Sequence, residues 1–151
     1  MRPRSIKNSV LCAVSLVLIL ANHSVANSQA LVPNPVLVFT GAEYFEKDGK
    51  SFVRYTFDVD NKGSYPAELF AAAPSLPPCG ANASASRTWV DLLMQNGKRL
   101  NGFCALNNSS SLNKIWFALE GDAIPPSWIY IEMTDRQTGT KYKSNLAETT
   151  M

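Results

Sequence analysis

Histidine is almost absent from this chain. His23 is the only one in 151 residues, and it falls within an N-terminal stretch that reads as a leader. A mature chain without histidine excludes Ser-His-Asp and Cys-His catalysis and any histidine-ligated metal. Cysteine is scarce as well. There are three, with no Cys-x-x-Cys spacing, so a thiol redox motif or a thiolate zinc site finds no support. Charged residues make up 17% of the chain, and no nucleophile stands beside a base. The expectation is therefore a protein that is not an enzyme. One acidic stretch, Asp58-Val59-Asp60-Asn61-Lys62-Gly63, fails as a calcium loop, because Lys62 and Leu69 stand where oxygen ligands are needed. No metal and no cofactor is expected.

Long apolar runs are missing too. Val10–Ala21 is 12 residues, well short of the about 20 that a membrane-crossing helix needs. Arg2, Arg4 and Lys7 precede it, and the small-residue patterns Ser24-Val25-Ala26 and Ser28-Gln29-Ala30 follow it. This is the layout of a secretory signal peptide. The expected leader is residues 1–26, with a second candidate cut after Ala30, and no stable membrane span remains after its removal. Three of the 14 basic residues and none of the 12 acidic ones lie in it, which leaves 11 against 12 and a net charge of −1. That balance gives no footing for a nucleic-acid partner. The expected location is periplasmic or secreted.

What is present reads as β-structure. Val36 to Phe39 forms a first strand that continues past Gly41 to Phe45, with a bulge at the glycine. Glu46 to Lys50 is a turn whose Gly49 supplies a positive φ. In the second strand Val53, Tyr55, Phe57 and Val59 alternate with Arg54, Thr56, Asp58 and Asp60, the pattern of a half-buried antiparallel strand. Tyr65 to Ala85 loses all periodicity and holds Pro66, Pro74, Pro77, Pro78 and Gly80. A connection of this length is expected to be functional or tied down, with at most a helical turn within Ala67 to Ala73. Further strands are read at Arg87 to Met94, Lys98 to Cys104, Leu112 to Leu119, Trp128 to Asp135 and Thr140 to Asn145. Leu146 to Met151 reads as a fraying tail.

The stretch from Pro77 to Cys104 is the most informative. Export and an even count of mature cysteines predict a Cys79–Cys104 disulfide. Asn96-Gly97 is the strongest short-range hairpin signal available. A two-residue turn there sets Trp89 opposite Cys104, Val90 opposite Phe103 and Asp91 opposite Gly102, with Gly102 leaving room for the Trp89 ring. Asp91, Glu132 and Asp135 are carboxylates that a glycosidase would need paired in one cleft. Ion pairs to Arg87 or Arg136 are the use expected for them. Asn82-Ala83-Ser84, Asn107-Asn108-Ser109 and Asn108-Ser109-Ser110 are assigned to polar loops.

Seven short strands at roughly 8–12-residue spacing predict an all-β, seven-stranded antiparallel β-sandwich over residues 35–145 with one disulfide. The order of long strands, hairpin, strand and hairpin resembles the A-B-C-C′-E-F-G plan of fibronectin type III and other immunoglobulin-like domains. The chain departs from that plan in its cysteine placement, in its long second connection and in the phase of Tyr130. Leu76 to Gly80, Ser86 to Asp91, Gly102-Phe103-Cys104 and Trp116-Phe117-Ala118 also resemble a set found in small bacterial secreted proteins. Fold likeness carries no activity.

The aromatics Trp116, Trp128, Tyr130 and Tyr142 are expected on the sheet face away from the core. With Tyr65 and Phe70 of the long loop they make the candidate binding surface. The function expected is a non-catalytic module for protein recognition or structure, its partner another envelope or extracellular protein. Strand addition at a sheet edge is a further route to a partner. A periplasmic enzyme inhibitor using the disulfide-held loop as a wedge, and a carbohydrate-binding or carbohydrate-degrading protein, are the alternatives.

Overall fold

The computed structural model describes residues 31–79, 85–113 and 115–150. The expected leader, the polar-loop triplet Asn82-Ala83-Ser84 and residue Gly80 lie outside them. The described chain is all-β, with two antiparallel sheets and eight strands.

The first sheet contains β1 (Leu37–Lys47), β2 (Lys50–Val59) and β5 (Ile115–Glu120), in the order β1-β2-β5. The register between β1 and β2 shifts between Phe39 and Gly41. Gly41 has φ +147, so the expected bulge lies at the glycine. Asp48 and Gly49 both take positive φ, 53° and 72°, the two-residue turn whose twist suits a tight hairpin.

The second sheet runs β4-β3-β6-β7, from β3 (Thr88–Met94), β4 (Arg99–Ala105), β6 (Trp128–Asp135) and β7 (Lys141–Lys143); β8 (Ala147–Glu148) also pairs with β6. The eighth strand corrects the sequence reading. Part of the expected tail is paired instead: Ala147 pairs with Ile129 and Glu148 with Trp128, and the Thr149 amide donates to the Ser127 carbonyl at 3.1 Å. Two residues are too few to show a period, so nothing in the sequence marked this strand. The fifth strand is also shorter than expected. It begins at Ile115, and Leu112 instead ends a 3-10 helix, Ser109–Leu112, capped by the Asn108 side chain.

The hairpin of β3 and β4 keeps the expected register by an unexpected route. Trp89 faces Cys104, Val90 faces Phe103 and Asp91 faces Gly102. The turn is not two residues, however. The Met94 amide donates to the Lys98 carbonyl at 2.9 Å, so Gln95, Asn96 and Gly97 form a three-residue loop, and Gly97 takes φ +83. A one-residue slip would send every later side chain to the wrong face. The register shift between Leu92 and Leu93, where Leu100 is the extra residue, restores the phase.

One buried cluster draws on both sheets. Val53, Tyr55, Phe57 and Val59 of β2 join Val90 and Leu92 of β3 and Ile129, Ile131 and Met133 of β6. Asparagines stitch the sheet edges together. Asn145 accepts from the Leu37 amide at 2.8 Å and donates to the Leu37 carbonyl at 3.0 Å. Asn101 donates to the Trp116 carbonyl at 2.9 Å.

The long connection after β2 is part of this core. It makes the expected short turn, the 3-10 helix Ala67–Phe70, and then comes back along the second sheet. The Ala73 amide donates to the Ala85 carbonyl at 2.9 Å and the Arg87 amide to the Ala71 carbonyl at 3.2 Å. Ser86 and Thr88, both buried, bond backbone carbonyls: Ser86 Oγ donates to Ala105 O, and Thr88 Oγ1 donates to Leu69 O at 2.6 Å. The Cys79–Cys104 disulfide, with Cα atoms 6.0 Å apart, clasps the connection to β4.

Candidate functional site

The six aromatic positions expected to share one surface do not do so. Phe70 is fully buried and Tyr65 is 7% exposed; both belong to the core cluster. Their rings meet edge to face at 6.4 Å. Burial pushes the Tyr65 phenol up to about 12. Tyr142 pairs with the core residue Met133 and packs against the core. The three residues of β7 are too few for alternation to fix the phase, which is why its side was misread. Tyr130 lies on the outer side of β6 but is only 8% exposed, with the Lys143 ammonium 4.2 Å from its ring centroid. Trp116 and Trp128 are exposed, but on different sheets.

Trp128 borders a depression of about 380 Å³ between the hairpin turn and the Pro126–Trp128 segment, lined also by Met94, Gln95 and Asn96. Trp116 stands on the outer face of the first sheet, where alternation and register gather side chains from all three strands. Phe45 faces Phe52 across β1 and β2, and Glu43 faces Arg54. Thr56 faces Trp116 across β2 and β5. The Phe45 and Phe52 rings stack at 5.5 Å. The Arg54 guanidinium lies between two rings, 4.9 Å from the Phe45 centroid and 5.0 Å from that of Trp116. Its Nη1 donates to Glu43 Oε1 at 2.8 Å. Phe45, Lys47, Phe52, Arg54, Trp116 and Ala118 line a groove of about 320 Å³. Sequence reasoning found Trp116 but missed Arg54, Phe45 and Phe52. The signal was there: Phe52 and Arg54 share the outward phase of β2.

The outer face of the second sheet carries a ladder of charges. Asp91 and Glu132 sit directly opposite each other on β3 and β6, an adjacency the sequence did not reveal. Each is held by a cation: Arg99 Nε lies 2.8 Å from Asp91 and Lys141 Nζ 2.6 Å from Glu132. The bond to Glu132 raises the Lys141 pKa. Arg99 also lies 4.9 Å from the Trp89 ring centroid. Asp135 is separate and buried, and Arg87 grips it. That hydrogen bond lowers the Asp135 carboxyl from 3.8 to about 2 and raises the Arg87 pKa.

Among the described residues no group of three or more His, Cys, Asp and Glu side chains could hold a metal ion. No described helix is long and apolar enough to cross a membrane. No protein-family model matches the chain, and neither a curated protein nor a solved structure matches it.

Proposed function

We propose that this chain is an exported, non-catalytic recognition module built as a fibronectin type III-like β-sandwich, and that it holds a protein partner on the outer face of its three-stranded sheet. The sandwich reading is supported by the core that both sheets share. The family reading is supported by strand order: β1-β2-β5 corresponds to A-B-E, and β4-β3-β6-β7 to C′-C-F-G. The Cys79–Cys104 disulfide suits an oxidising compartment.

One observation carries the choice of surface. Arg54 is held between Phe45 and Trp116 at 4.9 and 5.0 Å with Glu43 fixing Nη1, while Trp116 remains 43% exposed. Tryptophan and arginine dominate protein-binding hot spots. A guanidinium already fixed in the free protein loses little freedom on binding, which favours affinity. The inhibitor alternative loses support, because Tyr65, Leu69 and Phe70 of the proposed wedge are core residues.

A pull-down from envelope extract tests this, comparing wild type with Trp116→Ala, Arg54→Met and Trp128→Ala. The expected result is loss of a discrete partner with the first two variants and its retention with Trp128→Ala. Equal recovery by all four proteins would remove the three-stranded face from consideration.

A further inference from the structure

We propose that the second half of β1 is a self-association edge, along which Glu43–Lys47 pairs antiparallel with the same segment of a second copy. β1 ends its sheet, with β2 as its only strand neighbour among the described residues. Its first half is closed, because Asn145 takes both backbone groups of Leu37 and the bulge at Thr40 and Gly41 breaks the ladder. From Ala42 to Lys47 there is no proline and no bulge, two of the devices by which edges are usually blunted. Tyr44 stands 78% exposed on this stretch.

The hydrogen-bond phase follows from the turn. The two-residue loop Asp48-Gly49 closes on the pair Lys47 and Lys50, which makes that pair a hydrogen-bonded one. Alternation then turns the backbone groups of Glu43, Phe45 and Lys47 toward β2, and those of Ala42, Tyr44 and Glu46 outward. A second copy must therefore oppose outward residues with outward residues.

Charge selects among the registers. Glu46 on Glu46, or Ala42 on Tyr44 with Glu43 on Glu43, sets carboxylates face to face. Tyr44 on Tyr44 leaves Glu43 against Phe45. Tyr44 on Glu46 sets Phe45 on Phe45 and Glu43 on Lys47 twice, by symmetry, so that every charge on that outer face meets its opposite. The partners are free to do so. Lys47 has no ion pair among the described residues, and Glu43 is 62% exposed while it holds Arg54 through one oxygen. The two Trp116 grooves then lie on one continuous sheet.

Sedimentation velocity over a concentration series, with melting curves to confirm folding, tests the proposal. The wild type should show a concentration-dependent dimer. Lys47→Glu should weaken it by about tenfold or more, because two opposite-charge pairs become like-charge pairs. The swap Glu43→Lys with Lys47→Glu should restore it. Phe45→Cys, with oxidised glutathione as oxidant, should give a disulfide-linked dimer, since that non-hydrogen-bonded pair brings the two Cα atoms within bridging range. A wild type that stays monomeric up to about 1 mM would overturn the proposal. So would a dimer indifferent to Lys47→Glu or lacking the Phe45→Cys cross-link.

Discussion

Arg87 grips Asp135 with two parallel hydrogen bonds, Nε to Oδ1 at 2.9 Å and Nη2 to Oδ2 at 2.7 Å. Asp135 also accepts from the Gln137 amide at 3.0 Å and the Thr138 hydroxyl at 2.9 Å. The carboxylate thus fastens the strand before the Arg136–Gly139 turn, the turn itself and the end of the long connection. A neighbouring cation extends the grip: Arg136 donates to the Ser86 carbonyl at 2.9 Å and to the Pro77 carbonyl at 2.7 Å.

Acid should weaken this protein through Asp135. A carboxylate whose folded pKa is depressed stabilises the fold above its unfolded pKa, and that contribution fades as pH falls through the folded value. A fall from 3.8 to about 2 corresponds to roughly 2 kcal/mol at neutral pH, lost between about pH 4 and pH 2. Asp135→Asn should be less stable than wild type at pH 7, and its deficit should shrink as the solution is acidified. Urea denaturation at a series of pH values measures both; a constant deficit would contradict the assignment.

Reduction should cost roughly 3 kcal/mol, the chain-entropy value for a loop of this size. The two cysteines are 25 residues apart. The oxidised protein should show no free Cys79 or Cys104 thiol under denaturing, non-reducing conditions. The Cys79→Ser, Cys104→Ser double variant should match the reduced wild type in denaturant midpoint.

Gly102 should resist any side chain. A Cβ there would overlap the Arg99 guanidinium and lie 2.5 Å from Cζ2 of Trp89. Gly102→Val should therefore destabilise by about 1–3 kcal/mol through overpacking. Combining it with Trp89→Ala should cost less than the two changes added together. A double-mutant cycle reads the coupling directly, and strict additivity would assign the clash to Arg99 rather than to the indole.

Phe70→Ala and Trp116→Ala should separate cleanly. Phe70 is fully buried, and its truncation should cost about 3–5 kcal/mol. Trp116 is 43% exposed, so its truncation loses the contact with Arg54 and only part of a buried surface, about 1–2 kcal/mol. Chemical denaturation of both variants checks the contrast. Equal losses would mean that the long connection is not part of the core.

Asn145→Ala should expose the edge of β1. The variant loses both bonds to Leu37, worth about 1–3 kcal/mol with the buried backbone left unpaired. Hydrogen exchange should accelerate at the Leu37 amide and leave the Phe57 amide, deep in β2, protected.

The strands were legible wherever alternation ran long enough to set a phase. Val53 to Val59 and Ile129 to Met133 bury the side chains their patterns indicate. The Cys104–Trp89 register was legible only because two departures compensate. A loop one residue longer than the Asn96-Gly97 signal implies is offset by the extra Leu100 on β4, and neither has a distinct sequence mark. Tyr65, Leu69 and Phe70 were misplaced for a different reason. Prolines erase periodicity around them, and without a period an apolar residue in a connection looks the same whether it faces solvent or core. The alternation of β2 marks Arg54 as outward, but not which rings of β1 and β5 flank it, a relationship that exists only after the sheet is assembled.

The buried character of Tyr65, Leu69 and Phe70 has a practical consequence for anyone engineering this domain as a display scaffold. Foreign peptides grafted between Tyr65 and Phe70 would uncork the hydrophobic interior, and those placed within Gln137–Gly139 would unseat two partners of Asp135, whereas the tip at Asp48-Gly49 lies outside both and offers the safer port for insertion.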